Sequence, residues 1–212
     1  MRSLLEDLSR KCHRKGGAGM STNIVLCGVG GQGTVLASKL VAAASMAKGF
    51  EIKSAETIGM AQKGGSVMSH LRIGECYSPM IGSGEADLII GFEPSETVRM
   101  LPFLKEGGAV ITSDRAVMPV TAALSGSSYK GSDMVDFLKS CSRIGRLVVV
   151  DTEKAVSEIG SPKAMNMVLL GAASRAGLLG EITHEDIIAA MKRKVKPQFV
   201  EMNIRALEFA SI

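Results

Sequence analysis

Gly28-Val29-Gly30-Gly31-Gln32-Gly33 has the spacing G-x-G-x-x-G. Glycine permits a tight turn and close approach of a ligand to the backbone. A helix that opens directly after such a loop turns free N–H groups and the positive end of its dipole toward an anion. The pattern predicts phosphate or cofactor binding where the loop leaves a strand and enters a helix. The plain alternative is a glycine turn that only packs strand on helix. A P-loop fits poorly, because Thr34-Val35 stands where Lys-Ser/Thr is required. A second segment, Glu56–Ser66, gathers an amide, a cation, two glycines and a hydroxyl as Gln62, Lys63, Gly64, Gly65 and Ser66. Two consecutive glycines can turn N–H groups into a small anion nest, and Lys63 adds a full charge. The alternative there is a flexible turn. The candidate cofactor-binding residues are therefore Gly28, Gly30, Gly31, Gln32, Gly33, Gln62, Lys63, Gly64, Gly65 and Ser66.

No catalytic residue can be named from the chain. His13, His70 and His184 are scattered, without triad or metal spacing. The four cysteines, Cys12, Cys27, Cys76 and Cys141, lack the short spacings that an iron–sulfur or zinc site needs, so no metal site is expected. They read as reduced thiols of a cytoplasmic protein. A nicotinamide dinucleotide would require an acidic residue near the end of the second strand to hold the ribose. Glu51 and Glu56 are the candidates, but Lys53, Ser54 and Thr57 make that strand unusually polar.

The elements that would position these loops alternate. Asn23–Cys27 is a short apolar run of the kind found in buried strands. Thr34–Lys48 reads as a helix ending at Gly49, apolar on most faces, which in so small a chain suggests cover from another subunit. Glu51–Thr57 follows as a polar strand. Val67–Ile73 and Cys76–Ile81 read as a hairpin around Gly74-Glu75. Strands over Asp87–Phe92, Ala109–Ser113 and Leu147–Val150 alternate with helices over Ser95–Lys105 and Ser132–Ser140. Helices over Pro162–Ala176, His184–Lys194 and Phe199–Ala210 close the chain, with Thr183 and Asp186 as a cap for the second. The expected fold is α/β, a Rossmann-like, doubly wound, mostly parallel sheet with an inserted antiparallel hairpin.

The chain has 212 residues and a formal net charge of +4. Residues 1–19 hold five cations against two anions, so most of that excess belongs to a segment that reads as a disordered basic extension before one domain over 20–212. The domain itself is nearly neutral. With no Trp and few aromatics it offers no nucleic-acid footprint. No apolar run approaches the ~18 residues of a membrane span. The basic run Lys192–Lys196 sits at a helix end, as a solvated terminus or as a subunit contact.

Three runs, GVGGQGTVLASKLVAAA, SAETIGMAQKGGSVMSHLRIG and ADLIIGFEPSETVRMLPFLKEGGAVITSD, together resemble the gamma component of 2-oxoacid:ferredoxin oxidoreductases. NMVLLGAASRAGLL and KVKPQFVEMNIRALEFA extend the resemblance over about residues 20–210. Within that family the chain is most similar to the indolepyruvate type, whose beta subunit is one free-standing gamma domain. The resemblance implies a non-redox subunit, inactive alone, that binds no cofactor by itself. Thiamine diphosphate and iron–sulfur clusters would lie in a large alpha subunit. The complex would decarboxylate an aryl 2-oxoacid such as indolepyruvate to its acyl-CoA, taking coenzyme A as co-substrate and reducing ferredoxin. The family loop commonly has Ser and Arg where this chain has Ala61 and Lys63, which keeps the charge but loses the bidentate fork. A pyruvate- or 2-oxoglutarate-type subunit, a stand-alone NAD(P)-dependent dehydrogenase and a purely structural or regulatory module remain as alternatives.

Overall fold

A computed structural model describes residues 21–58, 64–117 and 129–209. The basic extension over 1–19 lies outside the described residues, as do Gln62 and Lys63. The elements run β1 (Thr22–Val29), α1 (Thr34–Ala47), β2 (Ile52–Ile58), β3 (Ser66–Ile73), β4 (Ala86–Gly91), α2 (Pro94–Met100), β5 (Leu104–Ser113), α3 (Gly131–Ser140), β6 (Ile144–Val150), α4 (Thr152–Ile159), α5 (Met165–Arg175), α6 (His184–Lys194) and α7 (Pro197–Glu208). The strands form one sheet in the order β2-β3-β1-β4-β5-β6. β1, β4, β5 and β6 are parallel, and β3 pairs antiparallel with both β1 and β2. The α/β class and the antiparallel hairpin are thus present, and the hairpin is β2–β3.

The sequence places that hairpin one segment too late. Cys76–Ile81 forms no strand; it lies over one face of the sheet. Arg72 and His70 of β3 hold the segment there. Arg72 Nη1 donates to the Met80 carbonyl at 3.1 Å, and the Ile81 N–H donates to His70 Nδ1 at 3.2 Å. β2 is polar because it is the outer strand, with Ser54, Glu56 and Thr57 exposed. Its edge position, with charges, is how sheets discourage further pairing.

Alternation along β1 sends Ile24 and Leu26 to one face and Val25 and Cys27 to the other, each wholly buried. The first face packs under α1, α4, α5, α6 and α7; the second packs under α2 and α3. This chain itself supplies cover over α1. α6 lies on it, and the Lys48 ammonium binds Asp186 at 3.1 Å and the Glu181 carbonyl at 2.7 Å. This explains why Ser38 and Ser45 are as buried as their apolar neighbours. The Ser45 hydroxyl is satisfied within the helix, on the Val41 carbonyl at 2.9 Å. Thr183 and Asp186 form the reciprocal cap expected at the start of α6. α4 has no counterpart in the sequence reading. Among the described residues, no helix is long and apolar enough to cross a membrane.

Candidate functional site

The glycine loop leaves β1 and enters α1, as its spacing requires. Gly33 is the helix N-cap, at φ +85°, and no side chain caps the helix. Gly31, at φ +104°, is exposed at the tip of the turn. Gly28 is needed for room: a Cβ there would lie 2.7 Å from Gln32 Oε1 and 2.8 Å from Phe92 Cβ. Gln32 shapes the loop. Its Oε1 accepts from the Val29 N–H at 2.7 Å, and its Nε2 donates to the Phe92 carbonyl at 2.9 Å. One side chain thereby ties the turn to the end of β4.

The structure brings the two glycine segments together. The Gly30 N–H donates to the Gly65 carbonyl at 2.8 Å, and the Gly64 N–H donates to the Gly30 carbonyl at 3.4 Å. Because β3 runs against β1, the turn entering β3 meets the turn leaving β1. Ser66 faces inward at that point. Its hydroxyl donates to Glu96 Oε2 at 2.5 Å, so the proton is engaged and only lone pairs are left for a ligand.

Beneath the loops lies a buried polar cluster that sequence reading missed. Glu93, wholly buried, caps α2. Its Oε2 accepts from the Ser95 hydroxyl at 2.6 Å and the Glu96 N–H at 2.9 Å. Its Oε1 accepts from the Tyr129 hydroxyl at 2.5 Å and the Val117 N–H at 3.3 Å. Four donors satisfy this carboxylate without a cation. Burial and the bond to Glu93 push the Tyr129 hydroxyl up to about 12, so it remains a donor at neutral pH. Cys27 is inert: burial and the neighbouring Glu96 push its thiol far up.

A cleft of about 540 Å³ opens at the carboxyl ends of the strands, between the glycine loop, Phe92 after β4, Arg115 after β5, and the turn Pro162–Ala164 before α5. The strand order changes side between β1 and β4, and open α/β sheets place ligands at that crevice. Arg115, Lys163 and Asn166 are the residues of this cleft that no motif announced. Arg115 follows β5, while Lys163 and Asn166 lie three residues apart at the start of α5, so no motif spacing links the two places. The one available signal was a cation just past a predicted strand end.

The dinucleotide acid is badly placed. β3 stands where the second strand of such a site would lie beside β1, so Glu56 sits two strands away, about 10 Å across the sheet. Among the described residues, no three of His, Cys, Asp and Glu gather as metal ligands, and Cys27 and Cys76 are buried apart from each other's strands and loops.

Comparison with known proteins agrees with this geometry. The family model described as pyruvate ferredoxin/flavodoxin oxidoreductase matches residues 23–211. Indolepyruvate oxidoreductase subunit IorB of Thermococcus kodakarensis is 35% identical over 187 residues, which is 88% of this chain and 92% of that protein. The pyruvate oxidoreductase subunit PORC from Thermotoga maritima superposes with a TM-score of 0.64 at 22% identity, over 89% of this chain and 94% of that one. The 2-oxoglutarate:ferredoxin oxidoreductase from Magnetococcus marinus was solved with 2-oxoglutarate, coenzyme A and succinyl-CoA bound. It superposes with a TM-score of 0.61 at 19% identity, over 90% of this chain and 30% of that one. At such identities the two structures speak for the fold alone.

Proposed function

Since the chain belongs to the pyruvate ferredoxin/flavodoxin oxidoreductase family, we propose that it is the beta, non-redox subunit of an indolepyruvate:ferredoxin oxidoreductase, with residues 20–212 as one gamma-type domain. The name of its 35%-identical relative supports the substrate type. The complex would convert an aryl 2-oxoacid and coenzyme A to the acyl-CoA and carbon dioxide, passing two electrons to ferredoxin. The observation that carries the role of this chain is the hydrogen-bonded contact of Gly30 with Gly64 and Gly65. It supports a shared glycine surface for the phosphates of coenzyme A: Gly28 gives it room, the N–H groups of Gly30 and Gly64 hold the two loops together, and N–H donation to a phosphate falls to Gly31, Gly33 and Gly65. Gln32 shapes that surface, Ser66 offers lone pairs, and Gln62 and Lys63 belong to the same loop by sequence. The described residues do not suit an iron–sulfur cluster, because their thiols do not converge. The clusters and thiamine diphosphate therefore belong to a larger alpha subunit in this reading.

The test is reconstitution. Co-expressed with a large subunit bearing a thiamine diphosphate motif and ferredoxin-like cysteines, the chain should co-purify with it. The complex should reduce ferredoxin with indolepyruvate only when coenzyme A is present. A chain that stays unassociated, and whose omission leaves that turnover intact, would overturn the proposal.

A further inference from the structure

We infer that the start of α2 is a mechanical hub of the carboxyl edge: Glu93 and Glu96 couple the connection after β5 to both glycine segments, so that loosening one side loosens the other. The device is built from this chain's own hydrogen bonds and does not depend on the coenzyme A reading.

The stretch Phe92–Glu96 takes hydrogen bonds from three separate parts of the chain. The Phe92 carbonyl accepts from Gln32 Nε2 at 2.9 Å, which fixes the first glycine loop. Glu96 Oε2 accepts from the Ser66 hydroxyl at 2.5 Å, which fixes the second. Glu93 Oε1 accepts from the Val117 N–H, 24 residues on, and from the Tyr129 hydroxyl, 36 residues on. It thereby holds two points, one early and one late, of the connection between β5 and α3. The two carboxylates are themselves joined, because the Glu96 N–H donates to Glu93 Oε2 at 2.9 Å.

This hub has little freedom to yield. Both carboxylates are buried, Glu93 wholly so. A buried carboxylate that loses a donor is left short of a partner at low dielectric, so the four bonds of Glu93 support one another. Arg99 holds the second Glu96 oxygen at 2.9 Å. The Thr97 hydroxyl donates to the Glu93 carbonyl at 2.8 Å and lies 2.9 Å from Thr112 Oγ1, which seats the turn on the end of β5. The same side chain leaves no room for a Cβ at Gly91, the last residue of β4. A displaced Val117 or Tyr129 therefore pulls on Glu93, and through the Glu96 N–H on Ser66. Anything that stiffens one side of the edge stiffens the other.

Amide hydrogen exchange of the full chain, read residue by residue by NMR, tests the coupling. Tyr129→Phe removes one donor to Glu93 from a half-buried side chain, so the variant should fold. Exchange should rise about two- to tenfold at the Glu96 and Val117 N–H groups, which Glu93 holds. It should rise as well at the Gly30 and Gly64 N–H groups, which bridge the two glycine segments. Ser66→Ala, which frees Glu96 Oε2, runs the test in reverse and should raise exchange at the Val117 N–H by a similar factor. The Ala190 and Met191 N–H groups of α6 serve as the reference for global unfolding, and the rises at Gly30, Gly64 and Val117 should exceed theirs. Wild-type exchange at Gly30 and Gly64 in Tyr129→Phe, together with wild-type exchange at Val117 in Ser66→Ala, would overturn the hub. A uniform rise that α6 shares in full would overturn it too, since the bonds would then only add to overall stability.

Discussion

Gly31 and Gly33 share one turn and one kind of backbone angle, yet they should not respond alike to a methyl group. At both, φ is positive, which strains an L residue by about 1 kcal/mol. At Gly31 an added Cβ meets nothing within 4 Å. At Gly33 it would fall 2.5 Å from Asn166 Nδ2 and 3.3 Å from Asn166 Cβ, so the asparagine must move as well. Urea unfolding should therefore rank Gly33→Ala below Gly31→Ala by about 1 kcal/mol. Equal costs would mean that the Asn166 contact is slack. Most of this loop was legible in the sequence, because a glycine run between a strand and a helix is a local signal. Glu93 was not legible. Its four donors come from residues as far away as Val117 and Tyr129, and an isolated Glu before a proline looks like any helix cap.

β3 shows why the elements were read unevenly. Its own alternation is strong, but its partner was misassigned, because Gly74-Glu75 is a nearer turn signal than the loop that joins it to β2. β2 carries little pattern of its own, since an edge strand needs no apolar face as wide as an inner one. What holds the rejected strand, Cys76–Ile81, to the sheet is partly His70, and that contact is pH-sensitive. Burial, with Arg72 adding, holds His70 below the ordinary imidazole value, and its ring packs edge-on to Phe103 at 5.5 Å. The folded chain then binds fewer protons at this site than the unfolded chain. The stability His70 contributes is complete above the unfolded value near 6.5 and is lost as pH falls below it. His184 is shifted in the same direction, by burial and Arg175, so wild type alone cannot separate the two. His70→Phe should melt lower than wild type at pH 7.5 and show a smaller further drop at pH 5.5. Parallel drops in both proteins would place the pH dependence elsewhere.

Taken whole, the molecule brings its described candidate ligand groups to one edge of one sheet. Family resemblance pointed to that edge, while the Arg115–Lys163–Asn166 side of it needed the folded chain, because the connection after β5 and the start of α5 had to converge. The proposed coenzyme A role predicts how the assembled enzyme should answer to its loop cation. With Lys63→Gln in the reconstituted complex, the KM for coenzyme A should rise about tenfold at nearly constant kcat, and Lys63→Arg should restore it. A fall in kcat at unchanged KM would instead place Lys63 away from the coenzyme.

The pairing of β1 with β3 runs unbroken over eight residues, from Thr22 opposite Ile73 to Val29 opposite Ser66. That ladder sets the meeting of Gly30 with Gly65 as a ruler sets a gap. Each residue along it measures ~3.4 Å, and a shift by one turns every side chain of β3 to the wrong face. Deleting a single residue anywhere in β3 would therefore either bury Arg72 and His70 under α1 or draw Gly65 away from Gly30. Insertions belong to the connections of this fold, and its strands are closed to them.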